Sequence, residues 1–586
     1  MKLPYIEETS PSRIVTETFY GYNNHLKIAI NEFSDMENLS CRDYPMIGTR
    51  PKRGTAAVLT VPQGMTSKDA LLYVDAGKVF YNGAEVTGLT LTPTGEKQIV
   101  SMGAYAVFFP DKKYLNTADL SDFGGLDAAW TAEADTKIKY QLCKADGTEQ
   151  TPKFVQVSEP ESAANGDLWI DTSETPHTLK QFAGDSRSWL SVVTVYVKIS
   201  AAGIGAKFKE GDGVEIAGAS YPQQGPLKDQ IKDLCGTKLL KGCGADYLIV
   251  IGLLDQVYEQ TGGVSIKREA PDMDYVCECG NRLWGCRYGL VDGKVVNELY
   301  ASKLGDFKNW RCYNGNSTAS WAASCGTDGQ FTGAVNYLGN PIFFKETCLH
   351  KISISAYGAH QVQSIDGNGV QKGSWRSLAI AGETLYYKGR TGVYAYDGSL
   401  PRSVSDKLGD VRYSGAVGGS FGGLYYVAMQ NSGGWILFSY DPSRGIWCRE
   451  DALHPVCFAA YGDDLYYLDA DKKVLGTILG TEGTPEGDLH WMAESGVQHY
   501  EQPNHKYVTR YQFRLRLPPG STLRLYLQYD SDGEWHYGGE VTGSGIGSFV
   551  LPVKPRRCDH LRFRLAGVGS FKLFSIARVL EQGSDR

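Results

Sequence analysis

A serine flanked by glycines is the part of the sequence that most nearly matches a catalytic motif. Gly418-Gly-Ser420-Phe-Gly422 fits the G-x-S-x-G elbow, in which a nucleophilic serine lies on a sharp turn between a strand and a helix. The next residues, Leu424-Tyr-Tyr-Val-Ala428, have the apolar and aromatic character of a strand. Because the helix that the elbow requires is replaced by a strand, we predict a glycine-rich turn and no nucleophile here.

Two other groups match metal sites only in part. Asp530-Ser-Asp532-Gly-Glu begins like a calcium loop but lacks the later oxygen ligands, and Asp-Gly is typical of hairpin turns. Cys277 and Cys279 lie on one side of a predicted strand with Cys286 nearby, yet no further His or Cys pair completes a tetrahedral zinc set. The histidines show no metal-binding spacing. We therefore assign no catalytic, cofactor-binding or metal-binding residue.

Arginine-rich segments are the candidate binding features. Alternation places arginines on the polar face of three C-terminal strands, and a shorter basic cluster lies in the N-terminal segment. Arginine is favoured where planar contacts with several donors are needed, so either an interface or a solvated strand face explains them. The candidate interface residues are Arg50, Lys52, Arg53, Arg514, Arg516, Arg524, Arg562 and Arg564.

The amino-acid composition excludes several classes of protein function. The 59 Lys and Arg against 66 Asp and Glu give a net charge of −7, the wrong sign for a protein that grips nucleic acid broadly. The 13 Cys contain no C-x-x-C pair and lie mostly in apolar runs, so we expect reduced, mostly buried thiols. No apolar stretch approaches the about 20 residues of a membrane span. Because the N-terminal residues do not form a secretory signal, we expect synthesis in the cytoplasm.

A repeat in the second half of the chain predicts the fold. A turn followed by an apolar and aromatic strand recurs at Leu283, Ile342, Leu385, Leu424 and Leu465. Three of the four intervals lie near the roughly 40–50 residues of a four-stranded propeller blade. A similar unit lies upstream, between Leu71 and Phe109. The sequence therefore predicts an all-β protein built on a β-propeller of about six blades.

The predicted propeller is interrupted and extended by other units. Residues 118–265 differ in sequence pattern from the predicted blades. They predict an inserted small β-barrel domain, with a short helix over Leu227–Cys235. Strict alternation in the last segment predicts a C-terminal antiparallel β-sandwich. The expected division is an N-terminal arm (1–55), a first blade (56–117), the insertion (118–265), the remaining blades (266–490) and the sandwich (491–586).

Two segments resemble a known protein family. Residues 31–54 (NEFSDMENLSCRDYPMIGTRPKRG) are similar to the opening of phage tail-hub proteins. Residues 386–398 (YYKGRTGVYAYDG) and the Tyr-Asp-Pro turn before Trp447 resemble the blades of those proteins. The family is the tail nozzle, or packaged-DNA stabilisation, proteins of short-tailed phages. The resemblance covers residues 31–55 and roughly 370–480, about a fifth of the chain.

The resemblance implies a structural virion protein without enzymatic activity and without a cofactor. Such a protein would form a ring, expected to be a homo-hexamer, below the portal and adaptor in the phage tail. The ring would line the DNA exit channel during DNA ejection, with transient non-specific DNA contacts, and would dock tail-fibre or tail-tip proteins. The chain would be made in the cytoplasm of the bacterial host.

One alternative function stays open on the residues themselves. Carboxylates from different blades can converge on one pocket of a propeller, and paired carboxylates at about 5–10 Å carry out glycoside hydrolysis. Exposed aromatics of the sandwich, such as Trp535 and Tyr537, could also contact sugars, although core packing explains them as well. The alternative is therefore a propeller that binds or degrades a polysaccharide.

Overall fold

The protein is built almost entirely from antiparallel sheets. Among the described residues, no helix is long and apolar enough to cross a bilayer. The all-β prediction is confirmed, whereas the helix predicted over Leu227–Cys235 falls largely outside the described residues. The computed structural model describes residues 12–220, 232–291, 293–355, 359–500 and 505–582.

The chain begins with five short strands that do not form a unit of their own. They join three different sheets: the first, third and fourth strands lie in one sheet, the second strand lies in another, and the fifth strand lies in a third. The strands are β1 (Ser12–Thr16), β2 (Phe33–Glu37), β3 (Leu39–Ser40), β4 (Ile47–Thr49) and β5 (Gly54–Val58).

Two four-stranded blades follow, each an antiparallel meander. Residues 56–117, predicted as one blade, therefore contribute to two blades and, through β5, to a third. Blade 1 contains β6 (Pro62–Lys68), β7 (Ala70–Asp75), β8 (Lys78–Tyr81) and β9 (Ala84–Thr90). Blade 2 contains β10 (Gln98–Met102), β11 (Tyr105–Phe109), β12 (Lys113–Asn116) and β13 (Phe123–Gly125).

The inserted domain, predicted as a small barrel, contains three sheets. Two of them (β14-β26-β21-β22 and β23-β24-β20-β15-β25) share one hydrophobic core, and a third (β16–β19) has its own apolar cluster. Its strands are β14 (Ala128–Thr131), β15 (Lys137–Cys143), β16 (Phe154–Gln156), β17 (Leu168–Asp171), β18 (Thr178–Ala183), β19 (Ser188–Ser191), β20 (Tyr196–Ser200), β21 (Gly213–Ala217), β22 (Gly236–Leu239), β23 (Gly242–Gly244), β24 (Tyr247–Ile251), β25 (Tyr258–Thr261) and β26 (Ser265–Arg268).

The aromatic repeat forms the second strand of each later blade, where those side chains are buried. Blade 3 contains β27 (Tyr275–Glu278), β28 (Leu283–Val291), β29 (Lys294–Ala301) and β30 (Trp321–Ser324). Blade 4 contains β31 (Phe331–Tyr337), β32 (Asn340–Lys345), β33 (Cys348–Ile354) and β34 (His360–Asp366). Blade 5 contains β35 (Ala379–Ala381), β36 (Thr384–Lys388), β37 (Val393–Tyr396) and β38 (Arg402–Ser403).

The last two blades complete the propeller. Blade 7 takes β5 from the start of the chain, which pairs with the third strand of this blade and closes the ring. Blade 6 contains β39 (Gly415–Phe421), β40 (Leu424–Asn431), β41 (Gly434–Asp441) and β42 (Ile446–Arg449). Blade 7 contains β43 (Pro455–Tyr461), β44 (Asp464–Asp469) and β45 (Val474–Thr477) with β5, and the short strand β46 (Thr484–Pro485) pairs with β5.

The first strand of each blade lies innermost, and these strands form a closed ring. β6 contacts β10, β10 contacts β27, and β27 contacts β31; on the other side β35, β39 and β43 follow one another and β43 returns to β6. A 3-10 turn at Trp375–Ser377 fills the space between β31 and β39. The propeller therefore has seven blades, where the repeat spacing indicated about six, because the upstream unit contains two blades.

An arginine crosses the axis of this ring. Arg376, from the connection between blades 4 and 5, donates to the carbonyl oxygens of Val456 (2.6 Å), Gln63 (2.9 Å) and Lys97 (3.0 Å) on the opposite side. Its Nε lies 3.7 Å from a carboxylate oxygen of Glu96. The Arg376 side chain, which is hydrogen-bonded to three carbonyl oxygens, thus blocks the propeller axis within one chain. A DNA channel of the kind implied by the resemblance would have to lie between copies of the chain.

The C-terminal sandwich has two sheets, and the N-terminal strands complete both. β1 and β4 pair with β53, while β2 pairs with β47. On β48 the alternation is as predicted, with Phe513 and Leu515 buried and Arg514 exposed. Each buried apolar side chain contributes roughly 1.5–3 kcal/mol. The strands are β47 (His490–Ser495), β48 (Lys506–Leu517), β49 (Thr522–Tyr529), β50 (His536–Thr542), β51 (Gly545–Pro552), β52 (Leu561–Val568) and β53 (Lys572–Gln582).

Candidate functional site

The partial motifs of the sequence occupy structural positions. Ser420 lies in β39, and the chain turns directly into β40, so the glycine-serine motif forms a hairpin. Asp530 closes the end of β49, where one of its carboxylate oxygens accepts hydrogen bonds from the backbone N–H groups of Asp559 (2.8 Å) and His560 (3.2 Å). Burial raises the pKa of the Cys279 thiol to about 11, which keeps it protonated and unreactive at neutral pH.

The N-terminal basic cluster is largely buried, and it joins the arm to the propeller. Arg53 contacts carboxylate oxygens of Glu450 (2.6 Å) and Asp451 (3.0 Å), and it donates to the carbonyl of Ile478 (2.7 Å). Burial disfavours the charged guanidinium, but Asp451 and Glu450 outweigh burial and raise the pKa of Arg53 above its ordinary value. Arg53 therefore contributes no surface to a partner of the folded chain.

Its two neighbours in the cluster differ in exposure. Arg50 is buried and forms ion pairs with Glu486 and with Asp451 (3.2 Å). Lys52 lies at the surface and pairs with Asp488 at 3.3 Å. Of the three candidate interface residues in this segment, Lys52 alone is exposed, because the acidic partners of the arginines come from distant parts of the chain.

The sandwich arginines also divide into paired and unpaired groups. Arg562 (3.1 Å) and Arg564 share the carboxylate of Glu494, and Arg524 contacts Glu540 at 2.6 Å. By contrast, Arg514 and Arg516 are exposed on β48, and no carboxylate of the described residues forms an ion pair with either. These two arginines are the free cations of the predicted interface set.

A large surface groove lies on blades 4, 5 and 6, and we call it the blade groove. It has a volume of about 1120 Å³. Its walls are the turns that join the second and third strands of blades 4 and 5, the connections that follow their fourth strands, and His25 of the N-terminal arm. The charged side chains that line it are His25, Glu346, Lys388, Arg390, Asp406, Asp410 and Arg412.

Lys388, the last residue of β36, is the most unusual group in this groove. Its side chain is buried, and its ammonium donates to the amide oxygen of Gln371 at 2.8 Å and to the carbonyl of Gly389. Burial lowers the pKa of Lys388 to about 8. Because an ammonium has three N–H donors, one donor is left for a groove ligand, and no carboxylate of the described residues pairs with this cation.

The rim of the blade groove adds further charges of both signs. Arg390 and Arg412 are exposed, and neither forms an ion pair with a carboxylate of the described chain. Asp406 lies 3.4 Å from His25, and Glu346 accepts a hydrogen bond from the backbone of Lys372 at 3.1 Å. The groove thus offers three cations without acidic partners and several hydrogen-bond acceptors.

A second cavity continues the groove towards the sandwich, and we call it the seam groove. Its volume is about 530 Å³, and it shares Val411 and Tyr413 with the blade groove. Arg562, one of the predicted interface residues, lines it, as does Trp435, whose ring stacks on His454 with a centroid distance of 4.4 Å. The two cavities together form an extended cleft lined by charged, polar and aromatic side chains.

Sequence inspection missed Lys388 as a site residue. Its segment was noted only as part of a blade pattern, and a lone lysine at a strand end has no motif. One signal could have directed attention to it: Lys345 ends the second strand of blade 4 at the corresponding position. A lysine repeated at a position that should be buried indicates a specific partner or ligand.

Comparisons with known proteins identify no close relative of the chain. No protein-family profile and no curated protein matches the chain. Among solved structures, an acylaminoacyl peptidase of Pyrococcus horikoshii is 13% identical with a TM-score of 0.23, over 50% of this chain and 46% of that chain. A glycoside hydrolase family 43 arabinoxylan arabinofuranohydrolase from Bacillus subtilis is 8% identical with a TM-score of 0.18, over 53% and 95%. The phage phi92 endosialidase is 10% identical with a TM-score of 0.17, over 76% and 56%.

These findings correct one expectation from the sequence. We expected a protein without enzymatic activity, but the solved structures that match include family 43 glycoside hydrolases. That expectation is therefore wrong. The chain spans about half the length of the peptidase it matches, and the low TM-scores assign no substrate and no catalytic residue to it.

Proposed function

We propose that the protein binds an acidic polysaccharide in the blade groove. The observation that carries this proposal is Lys388, a buried cation with a free N–H donor in the groove wall. A buried charge is costly unless it is paired, so an anionic group on a ligand would complete the site. Arg390 and Arg412 at the rim would bind further anionic groups of the same chain.

The mixture of charges favours an acidic sugar polymer over a nucleic acid. Glu346, Asp406 and Asp410 line the same groove as the three cations. Sugar hydroxyls can donate hydrogen bonds to these carboxylates, whereas a phosphate backbone offers mainly acceptors and would be repelled. The seam groove extends the cleft past Tyr413, and Trp435 there provides an apolar ring face of the kind that packs on sugar rings.

Binding assays with the purified chain test this proposal. We expect calorimetric binding of polysialic acid or polygalacturonate, weaker at high salt, and no binding of neutral dextran. The double variant Arg390→Ala/Arg412→Ala should weaken affinity at least about tenfold, or about 1.4 kcal/mol. Arg402→Ala is the matched control, because Arg402 is an exposed arginine of blade 5 outside the groove lining. Equal binding of dextran, or full affinity in the double variant, would contradict the proposal.

The same samples of protein and polysaccharide show whether the groove only binds the polysaccharide or also cleaves it. Glycoside hydrolysis uses two carboxyl groups on either side of the scissile bond, and the groove contains three carboxylates. Release of reducing ends from a bound polysaccharide would assign a cleaving enzyme, whereas binding without release would assign a binding protein.

A second candidate function rests on a different surface, the outer face of β48 and β51. Arg514 and Arg516 lie beside Ser548 and Ile546 in register, and Ile546 is 71% exposed. Unpaired arginines next to exposed aliphatic side chains are typical of protein interfaces. From this surface and from the resemblance of residues 31–54, we propose that the protein is a subunit of a phage tail. It would dock on neighbouring copies or on portal and tail-tip proteins.

The oligomeric state of the purified chain tests this second candidate function. We expect ring-sized species of the wild-type chain in size exclusion coupled to light scattering, and mainly the 64.3 kDa monomer for Arg514→Glu/Arg516→Glu. Arg524→Ala, on the opposite sheet, is the control and should assemble like the wild type. Assembly unchanged by the double charge reversal would contradict a docking role for this face.

A further inference from the structure

A group of metal-ligand side chains lies at one end of the sandwich, away from both grooves. His499 follows β47, and Asp559 and His560 directly precede β52. An isolated antiparallel bridge between Gln498 and Leu561 holds the two segments in register, with backbone hydrogen bonds of 2.9 and 3.2 Å. The bridge places His499 opposite His560, and their ring centroids are 5.4 Å apart.

The donor atoms of this group are close enough to share one ion. One ligand atom from each of the three side chains lies within 4.8 Å of the others. Nδ1 of His560 is 3.2 Å from a carboxylate oxygen of Asp559. Tetrahedral zinc with bonds of about 2.0–2.2 Å needs donor separations of roughly 3.3–3.6 Å. Small rotations of the exposed His499 side chain would bring its nitrogen within that range.

Neighbouring groups orient these ligands as the outer residues of metal sites do. Nε2 of His560 lies 2.8 Å from the hydroxyl of Ser531. In the tautomer whose Nε2–H donates to that hydroxyl, Nδ1 keeps a free lone pair that can ligate a metal ion. Asp530 accepts hydrogen bonds from the backbone N–H groups of Asp559 and His560, which fixes the segment that carries both ligands.

We propose that His499, Asp559 and His560 bind a divalent transition-metal ion, with Zn²⁺ the preferred occupant. Two imidazoles and one carboxylate suit zinc, whereas Ca²⁺ and Mg²⁺ favour all-oxygen sites. Three protein ligands would leave a fourth tetrahedral position for water or another ligand. The ion would join the segment after β47 to the loop between β51 and β52, and so fasten the crossover between the two sheets of the sandwich.

A lysine also lies beside the site. The ammonium of Lys506 contacts the backbone carbonyl of Asp559 and leaves the carboxylate to the histidines. A neutral imidazole and an ionised carboxylate are the forms that ligate metals.

Zinc titration of the full-length, tag-free chain tests the proposal. After chelator treatment, calorimetry should find one Zn²⁺ per chain, and His499→Ala and His560→Ala should each weaken the affinity at least tenfold. Because His499 is exposed, its replacement should leave the fold intact. His536→Ala is the matched control, since His536 pairs with Asp532 at the same end of the sandwich and lies outside the cluster; it should bind Zn²⁺ like the wild type.

A spectroscopic measurement gives a second readout. Co²⁺ in place of zinc should produce the visible absorption of a four-coordinate ion, which the His499→Ala variant should lose. No zinc binding by the wild-type chain, or equal zinc affinity of the wild type and His499→Ala, would overturn the proposal. Neither result depends on the polysaccharide site.

Discussion

Replacing Arg53 by methionine is expected to lower the free energy of unfolding by about 3–5 kcal/mol. The guanidinium lies between the carboxylates of Glu450 and Asp451, and Glu450 is almost completely buried. Removing the cation leaves these carboxylates in a low-dielectric environment without their partner, and the carbonyl of Ile478 loses its donor. The loss falls where β5 enters blade 7, so we expect ring closure itself to weaken.

Chemical denaturation followed by tryptophan fluorescence measures this effect. Lys52→Met is the matched control, because Lys52 is the adjacent residue of the chain but pairs with Asp488 at the surface. An exposed ion pair contributes about 0–1 kcal/mol, so this variant should denature close to the wild type. Equal denaturation midpoints for Arg53→Met and Lys52→Met would show that Arg53 does not stabilise the closed ring.

The propeller was predictable because its repeat is local. Leu385, Leu424 and Leu465 lie on the second strands of blades 5, 6 and 7, where each of them packs against its neighbours. The number of blades was less predictable. The upstream unit between Leu71 and Phe109 contains two blades, and the pairing of β5 with β45 joins residues that are far apart in the chain. Long-range pairing of this kind leaves no periodic signal.

The site was much less predictable than the fold. Arg50-Pro-Lys-Arg53 has the composition of a surface cluster, yet both arginines are buried beside acidic residues from the connection between blades 6 and 7 and from the segment after β46. The same limit applies to Arg562 and Arg564, which share Glu494. A basic cluster in a sequence shows which charges are present, whereas its exposure depends on partners that only the fold brings near.

Lys388 is the opposite case, because it is a candidate site residue that no local sequence pattern indicates. A lysine before a glycine turn is ordinarily exposed. It is buried here because Gln371, from the connection before β35, supplies an acceptor and the turn itself supplies the carbonyl of Gly389. Lys345 is buried in the same way by Asn297 and the carbonyl of Thr327, but it does not line the blade groove.

The pH dependence of polysaccharide binding follows from the environment of Lys388. Its pKa in the free protein is about 8, because burial disfavours the ammonium. An acidic group of the ligand would favour the ammonium and raise that pKa, so binding takes up a proton above pH 8. Affinity should therefore fall by up to about tenfold per pH unit above pH 8. Sugar carboxylates ionise far below this range and do not contribute.

Two buried lysines at equivalent positions make a controlled test of that dependence. Lys388→Met should weaken binding of polysialic acid at least about tenfold at pH 7 and abolish the fall above pH 8. Lys345→Met removes a lysine that is equally buried, and whose pKa burial also lowers, but outside the groove. It should keep the wild-type affinity and pH profile. If both variants lose binding alike, the effect is one of folding, and Lys388 has no direct contact with the ligand. A wild-type affinity that stays constant between about pH 7 and pH 10 would argue equally against an ammonium–anion contact.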